Sequence, residues 1–248
     1  MPHERTEKDT QKVAEIMTAK AMISAGLQVN ENDHAMKLAS EIVRKDKIVA
    51  EALDAYQPLA MKTASVIEDE NDQMKQTIHA CIGMFTEAGE LLDGCKKHRY
   101  YGKPYDVVNA MEELGDISWY VALLAQASGG KVSDWYELAA SGEILPTSSD
   151  DVFEIACEIA HAVGIIFGMV LMGLGSDDSR RQPVLSGTLA RLLHFLKLYA
   201  NAHGHDYVSI LEANIDKLRT RHGDKFNGGA RNVDVEREGL EQAFGQTK

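Results

Sequence analysis

The sequence predicts an all-α protein, a helical bundle, on three observations. Apolar residues recur at three- and four-residue intervals along most of the chain. Polar breaks carrying Gly, Pro, Ser or Asp separate these runs. No stretch alternates β-branched and polar residues as a sheet would require. In order, residues 5–25 place Val13, Ile16, Met17 and Ile23 among charges, and residues 33–53 set Met36, Ala39, Ile42, Val43, Val49 and Leu53 on one helical face. AYQPLAMKTAS is expected as a separate short helical piece. Long helices are predicted over 71–97 and 106–127, the second capped by Asp106 after a loop whose Pro104 cannot extend a helix. KVSDWYELAASG adds a short helix, and EILPTSSD is a connector offering Ser148 or Ser149 as the next N-cap. Helices over 150–173, 184–203, 206–222 and 233–244 complete the series, divided by GSDDSRRQP, HGH and DKFNGGARN.

Composition narrows the function classes. The 248 residues are 44% apolar and 26% charged, enough for a sizeable core. A net charge of −12 argues against a nucleic-acid partner, which needs a basic stripe. Cys81, Cys95 and Cys157 form neither a disulfide framework nor a zinc spacing, which fits a reducing, cytoplasmic setting. The longest apolar run, VGIIFGMVLMGLG, is too short to span a bilayer and holds three interior glycines, so no membrane partner is expected. The first residues, MPHERTEKDT, lack the apolar centre of a signal peptide.

Residues 1–54 read as an N-terminal helical extension and 55–248 as the main bundle. Within the latter, ISWYVALLAQASG (117–129) and LLHFLKLYANAHG (192–204) align without a gap. Upstream, Glu87/Glu90 in the first copy correspond to Glu158/His161 in the second, and Glu113/Asp116 to Thr188/Arg191. Either a duplication spanning 72–130 and 150–204, with the acids lost from one half, or the generic likeness of amphipathic hairpins produces this. Two such hairpins would make a four-helix core in one chain.

The chemistry concentrates in EAGELLDGCKKHRYYGKPYDVVNAMEELGD. Residues three apart share a helical face, so Glu87 projects with Glu90 and Glu113 with Asp116. Met84, Leu91, Leu114, Ile117 and Tyr120 on the same turns mark both helices as partly buried. A short loop returns the chain, so four carboxylates can converge on one seam. Buried like charges repel and need a counter-charge. Oxygen ligands suit hard divalent cations, and Mg²⁺ favours a few carboxylates together with substrate phosphates.

These motifs, EAGELLD…KK…YGKP…EELGDISWYVALLA, resemble the signature of the MazG-like all-α nucleoside triphosphate pyrophosphohydrolases, a superfamily that includes dimeric dUTPases and dCTP pyrophosphatases. ANIDKLRTRHGDKF is similar to the family's downstream Asn-x-x-Lys segment, and AYQPLAMKTAS to the Tyr-Gln opening helix of phage-type members. The resemblance covers roughly residues 55–128 and 205–245. It implies a MazG-like bundle that cleaves a nucleoside triphosphate, expected as a dNTP, between the α and β phosphates in nucleotide-pool control. It also implies Mg²⁺ as cofactor, with Mn²⁺ as substitute, and bundles completed by a partner subunit as a homodimer or homotetramer.

On this reading Glu87, Glu90, Glu113 and Asp116 are the metal ligands, and Glu87 also takes the proton of the attacking water. Glu112 is expected as solvated surface. Asn214, Lys217 and Arg221, on one face of the 206–222 helix, and Lys97 and Lys103 beside the loop, are candidate phosphate contacts. Tyr56, Gln57, His79, Asn109 and Trp119 are candidate base or sugar contacts. Two rivals stand beside it: a ferritin-like di-metal redox bundle, drawing on Glu31/His34 and Glu158/His161, and a non-catalytic helical interaction module.

Overall fold

Every regular element among the described residues is a helix. The computed structural model describes residues 15–16, 18–23, 25, 34–64, 73–141, 151–173, 182–223 and 232–245. Residues 15–16 and 18–23 are helical. Beyond them run α1 (His34–Met61), α2 (Gln73–Tyr101), α3 (Val107–Ser128), α4 (Val132–Ala140), α5 (Val152–Leu171), α6 (Gln182–Ala202), α7 (Tyr207–His222) and α8 (Val233–Phe244).

The helix ends follow from short polar side chains and glycines. Asp106 caps α3 by accepting the Asn109 amide at 3.0 Å, and Asp206 caps α7 through the Val208 amide at 3.1 Å. Asp151 caps α5, accepting the Phe153 amide at 2.9 Å, so the cap lies beyond Ser148 and Ser149, which are outside the described residues. Gly129, with φ of 70°, closes α3 in the left-handed conformation that other residues avoid.

Two differences from the sequence expectation concern length. α1 is one helix through Pro58, because Val49, Leu53, Tyr56 and Ala60 continue a single buried stripe across the expected break. Pro58 is exposed, and α1 crosses residue 54 uninterrupted, so the expected boundary between extension and bundle falls inside a helix. α5, counted from Val152, is long and apolar enough by composition to cross a membrane, contrary to the run counted from Val163. Its Ile155, Ile159, Val163 and Ile166 face is buried against α2 and α6, the position of a core helix.

Packing sets two hairpins side by side. α2 packs along α3, α5 along α6, and α2 against α5. Leu114, Ile117, Ile155, Leu192 and Leu196 are fully buried between them, each contributing about 1.5–3 kcal/mol on removal from water. α1 lies on α3, α4 and α7, while α8 closes over α7 and α3. A buried ionic knot ties this layer to the bundle. Asp46 on α1 accepts from Lys20 at 2.7 Å, Lys197 at 2.6 Å and the Tyr136 hydroxyl at 2.9 Å. Burial would raise its carboxyl, but hydrogen bonds from Lys197 and Lys20 prevail and hold it below the ordinary range.

Candidate functional site

Helical spacing puts Glu87 and Glu90 on one face of α2, and the short turn at 102–106 brings α3 back beside it with Glu113 inward. Gly102, with φ of 64°, allows that turn, and the Lys103 amide bonds the Lys97 carbonyl at 3.2 Å. Oxygen atoms of Glu87, Glu90 and Glu113 thereby lie within 4.8 Å of one another. Glu113 is only 4% exposed and accepts from Asn109 Nδ2 at 2.9 Å. Asp116, one turn further along α3, lines the same cavity of about 380 Å³. The two carboxylate pairs therefore share one hollow between α2 and α3, as their spacing predicts.

Asp116 is held from beneath. Asn214 Nδ2 donates to Asp116 Oδ1 at 2.8 Å, and the Lys217 ammonium lies 2.5 Å from both carboxylate oxygens. Lys217 also reaches Glu112 at 3.3 Å, while the Tyr56 hydroxyl donates to Asn214 Oδ1 at 2.8 Å. Gly115 makes this closeness feasible: a Cβ there would stand 3.0 Å from Asn214. Tyr56, Asn214 and Lys217 are all buried. Their expected roles change accordingly. Asn214 and Lys217 support a carboxylate instead of lining the hollow for phosphate, and Tyr56 props Asn214 instead of meeting a base. Glu112 is a cavity-lining partner of Lys217, not solvated surface.

Other expected contacts divide in the same way. Gln57 bonds the Gly130 carbonyl at 3.1 Å and the Val132 amide at 3.0 Å, which pins α4 to α1 and removes it from any base site. Arg221 lines the cavity but grips buried Glu236 through two hydrogen bonds, at 2.9 and 2.6 Å. His79, Asn109 and Trp119 do line the cavity. Trp119 Nε1 donates to the Ala60 carbonyl and to Thr63 Oγ1, each at 3.1 Å, leaving its ring at the rim. Tyr120, unassigned by sequence reasoning, meets His79 and Trp119 edge-on, and a Cβ on Gly83 would run into its ring. Lys97 and Lys103 line an adjoining cavity of about 650 Å³ that shares Glu90 and Asn109 with the first.

Electrostatics decide what the hollow can accept. Two unit charges 4.8 Å apart repel by about 3 kcal/mol at the dielectric typical of such sites. Three ionised carboxylates at this spacing are therefore untenable without a cation or a proton. The Glu113 carboxyl is pushed up to about 9 by burial, by its hydrogen bond to and repulsion from Glu87, and by Asp116 and Glu90. Burial and the Asp116 charge likewise raise Glu87. Lys217 is already committed to Asp116 and Glu112. The donor set is all oxygen, which suits a hard divalent cation; Glu87, Glu90 and Glu113 would hold it, with Asp116 alongside.

The second hairpin offers a contrast at the corresponding positions. Arg191 Nη2 donates to Glu158 Oε2 at 2.7 Å, and His161 Nδ1 lies 3.8 Å from the same oxygen. A guanidinium thus pairs directly with Glu158 there, whereas at the first hairpin the Lys217 ammonium bonds Asp116 and Glu112 and none of Glu87, Glu90 and Glu113. His34 is the first residue of α1, and Glu31 lies outside the described residues. Among the described residues, no histidine belongs to a ligand-competent cluster. No protein-family model, curated protein or solved structure matches the chain.

Proposed function

We propose that this chain is a divalent-cation-dependent nucleoside triphosphate pyrophosphohydrolase, releasing a nucleoside monophosphate and pyrophosphate. The observation that carries the reading is the convergence of Glu87, Glu90 and Glu113 within 4.8 Å, beside Asp116, in an open cavity. Lys217 offsets Asp116 and Glu112, and the three clustered glutamates still need a cation. A triphosphate accompanied by Mg²⁺ supplies the cation and occupies the hollow. The bound cation would polarise the α-phosphoryl group and acidify a neighbouring water.

The chain's own residues do the remainder. Glu87 Oε, raised above the ordinary carboxylate range by burial and by Asp116, is a stronger base than a free carboxylate and suited to accept the proton of the attacking water. Asn109 Nδ2 orients Glu113 through its 2.9 Å hydrogen bond. Lys217 and Asn214 fix Asp116, and the α1 layer behind them keeps water from that side. His79, Trp119 and Tyr120 present rings and ring edges at the cavity rim, chemistry suited to a nucleobase.

The resemblance to MazG-like enzymes agrees with this reading and supplies its choice of the α–β bond. The test is a panel of canonical and modified dNTPs with Mg²⁺, scoring pyrophosphate against orthophosphate. Pyrophosphate production that disappears in Glu87→Gln and Asp116→Asn supports the reading. Orthophosphate alone, or activity and metal affinity intact in both variants, refutes it. An oxygen-dependent spectral change on iron loading would favour the redox bundle.

A further inference from the structure

We propose that the cavity lined by Gly89, Gly94, Lys97 and Lys103 seats the leaving pyrophosphate. A nucleoside triphosphate would then lie across the carboxylates with its β and γ phosphates toward Lys97 and Lys103 and its nucleoside toward His79 and Trp119. This inference rests on the pyrophosphohydrolase reading and adds the direction of the substrate.

The two cavities form one trough along α2, because Glu90 and Asn109 line both. The ends differ in chemistry. At the far end of the carboxylate cavity the cations are already occupied: Lys217 by Asp116 and Glu112, and Arg221 by Glu236. The rings of His79, Trp119, Tyr120 and His222 line this cavity, with the Thr63 hydroxyl. At the other end Lys97 is 58% exposed and pairs with Asp93 one turn back on its own helix. Such a solvent-screened pair is weak and exchanges readily for a phosphate oxygen. Lys103 makes no ion pair among the described residues. Of the acids lining this cavity, Asp93 is engaged by Lys96 and Lys97, Asp106 by Arg237 and by the Asn109 amide, and Glu90 belongs to the carboxylate cluster that would hold the cation.

The glycines strengthen the argument. Gly89 and Gly94 lie in the interior of α2, where glycine costs helix stability relative to alanine. Packing gives no reason for them. A Cβ on Gly89 would meet nothing within 4 Å, and one on Gly94 would meet only Tyr105 Cε2, at 3.9 Å. Both line the trough, where a missing side chain leaves room for a bulky anion. Glu90 and Lys97 are seven residues apart, about 10 Å along the axis, a distance that two phosphate groups and a lysine chain bridge together.

The experiment is calorimetric titration of the full chain, saturated with Mn²⁺, with inorganic pyrophosphate and separately with a deoxynucleoside monophosphate. The wild type should bind both. A Lys97→Gln, Lys103→Gln double variant should weaken pyrophosphate by about tenfold or more, while monophosphate affinity stays unchanged. Gly94→Leu, which fills the trough, should weaken pyrophosphate likewise. Gly94→Ala should raise the melting temperature by about 2–4 °C, showing that the glycine is not there for the fold. Pyrophosphate affinity unchanged in both the lysine and leucine variants, or monophosphate affinity lost instead, overturns the proposed direction. If the wild type still yields pyrophosphate from a nucleotide, that failure leaves the hydrolase reading standing; no pyrophosphate from any nucleotide defeats both.

Discussion

Glu113→Gln should make the metal-free protein more stable while abolishing its stabilisation by metal. The wild-type carboxyl is raised to about 9 in the fold, with burial the largest cause, against an ordinary value of 4.5. A carboxyl with a raised folded pKa keeps its proton in the native state and loses it in the unfolded state. Metal-free stability therefore falls as pH rises from the unfolded value toward the folded one. At pH 7 the penalty is about 3 kcal/mol, from about 1.4 kcal/mol per unit over roughly two and a half units, taken as an upper bound. Glutamine never ionises, and its carbonyl still accepts from Asn109, so the variant escapes the penalty. For a chain of this size that is up to about 6–12 °C in melting temperature. The assay is thermal unfolding in EDTA from pH 5 to 9, repeated with Mn²⁺. The variant should match wild type near pH 5 and gain on it steadily above. Mn²⁺ at a hundredfold excess over Kd should stabilise wild type by about 2.7 kcal/mol and leave the variant unmoved. A variant that is less stable in EDTA at pH 8 yet still responds to Mn²⁺ would show that Glu113 is neither strained nor a ligand.

Other expectations follow from the supports around the site. Lys217→Met removes the ammonium beneath Asp116 and should cost about 3–5 kcal/mol in metal-free unfolding experiments, with the loss reduced at saturating Mn²⁺. An equal loss with and without metal would mean that Lys217 serves packing alone. Asp46→Asn leaves Lys20 and Lys197 without their carboxylate and should cost about 3 kcal/mol in urea unfolding at pH 7. Because the Asp46 pKa is lowered in the fold, this difference should be present above about pH 4 and shrink as acid protonates the wild-type carboxyl. A difference that persists unchanged to pH 2 would contradict the ionic account. Glu158→Gln should leave pyrophosphate release and metal stoichiometry unchanged, since Arg191 already neutralises that position; loss of a bound metal would revive the second hairpin as a site.

Local features were legible in the sequence where periodicity alone decides them. Three-residue spacing fixes which side chains share a face, so the convergence of Glu87, Glu90, Glu113 and Asp116 required only that two long helices turn back on each other. Periodicity does not say what lies across from a face. Asn214 and Lys217 share a face of α7 as expected, yet that face is pressed against α3 beneath Asp116 and does not open into the hollow. Buried Ile210, Leu211, Ile215 and Leu218 on the surrounding turns are the signal that pointed inward. Glu112 looked solvated because its neighbour Glu113 took the inward direction, but α7 approaches from the other side with Lys217. Sequence spacing divides α1 into a helix over 33–53 and a short piece from Ala55, whereas the buried stripe of Val49, Leu53, Tyr56 and Ala60 runs through as one helix. The roles of Lys217 and Tyr56 depend on partners 101 and 158 residues away in sequence, a separation over which one chain's pattern carries no pairing information.

α1 has a mechanical consequence. Near its middle it is bolted to Lys20 and Lys197 through Asp46; ten residues on, about 15 Å along the axis and close to its C-terminal end, it props Asn214 through Tyr56. An unbroken rod transmits tilt from one fastening to the other. Shortening the chain ahead of His34 would unload the Lys20 fastening, and the disturbance would be felt at the far end, in how firmly Asp116 is held.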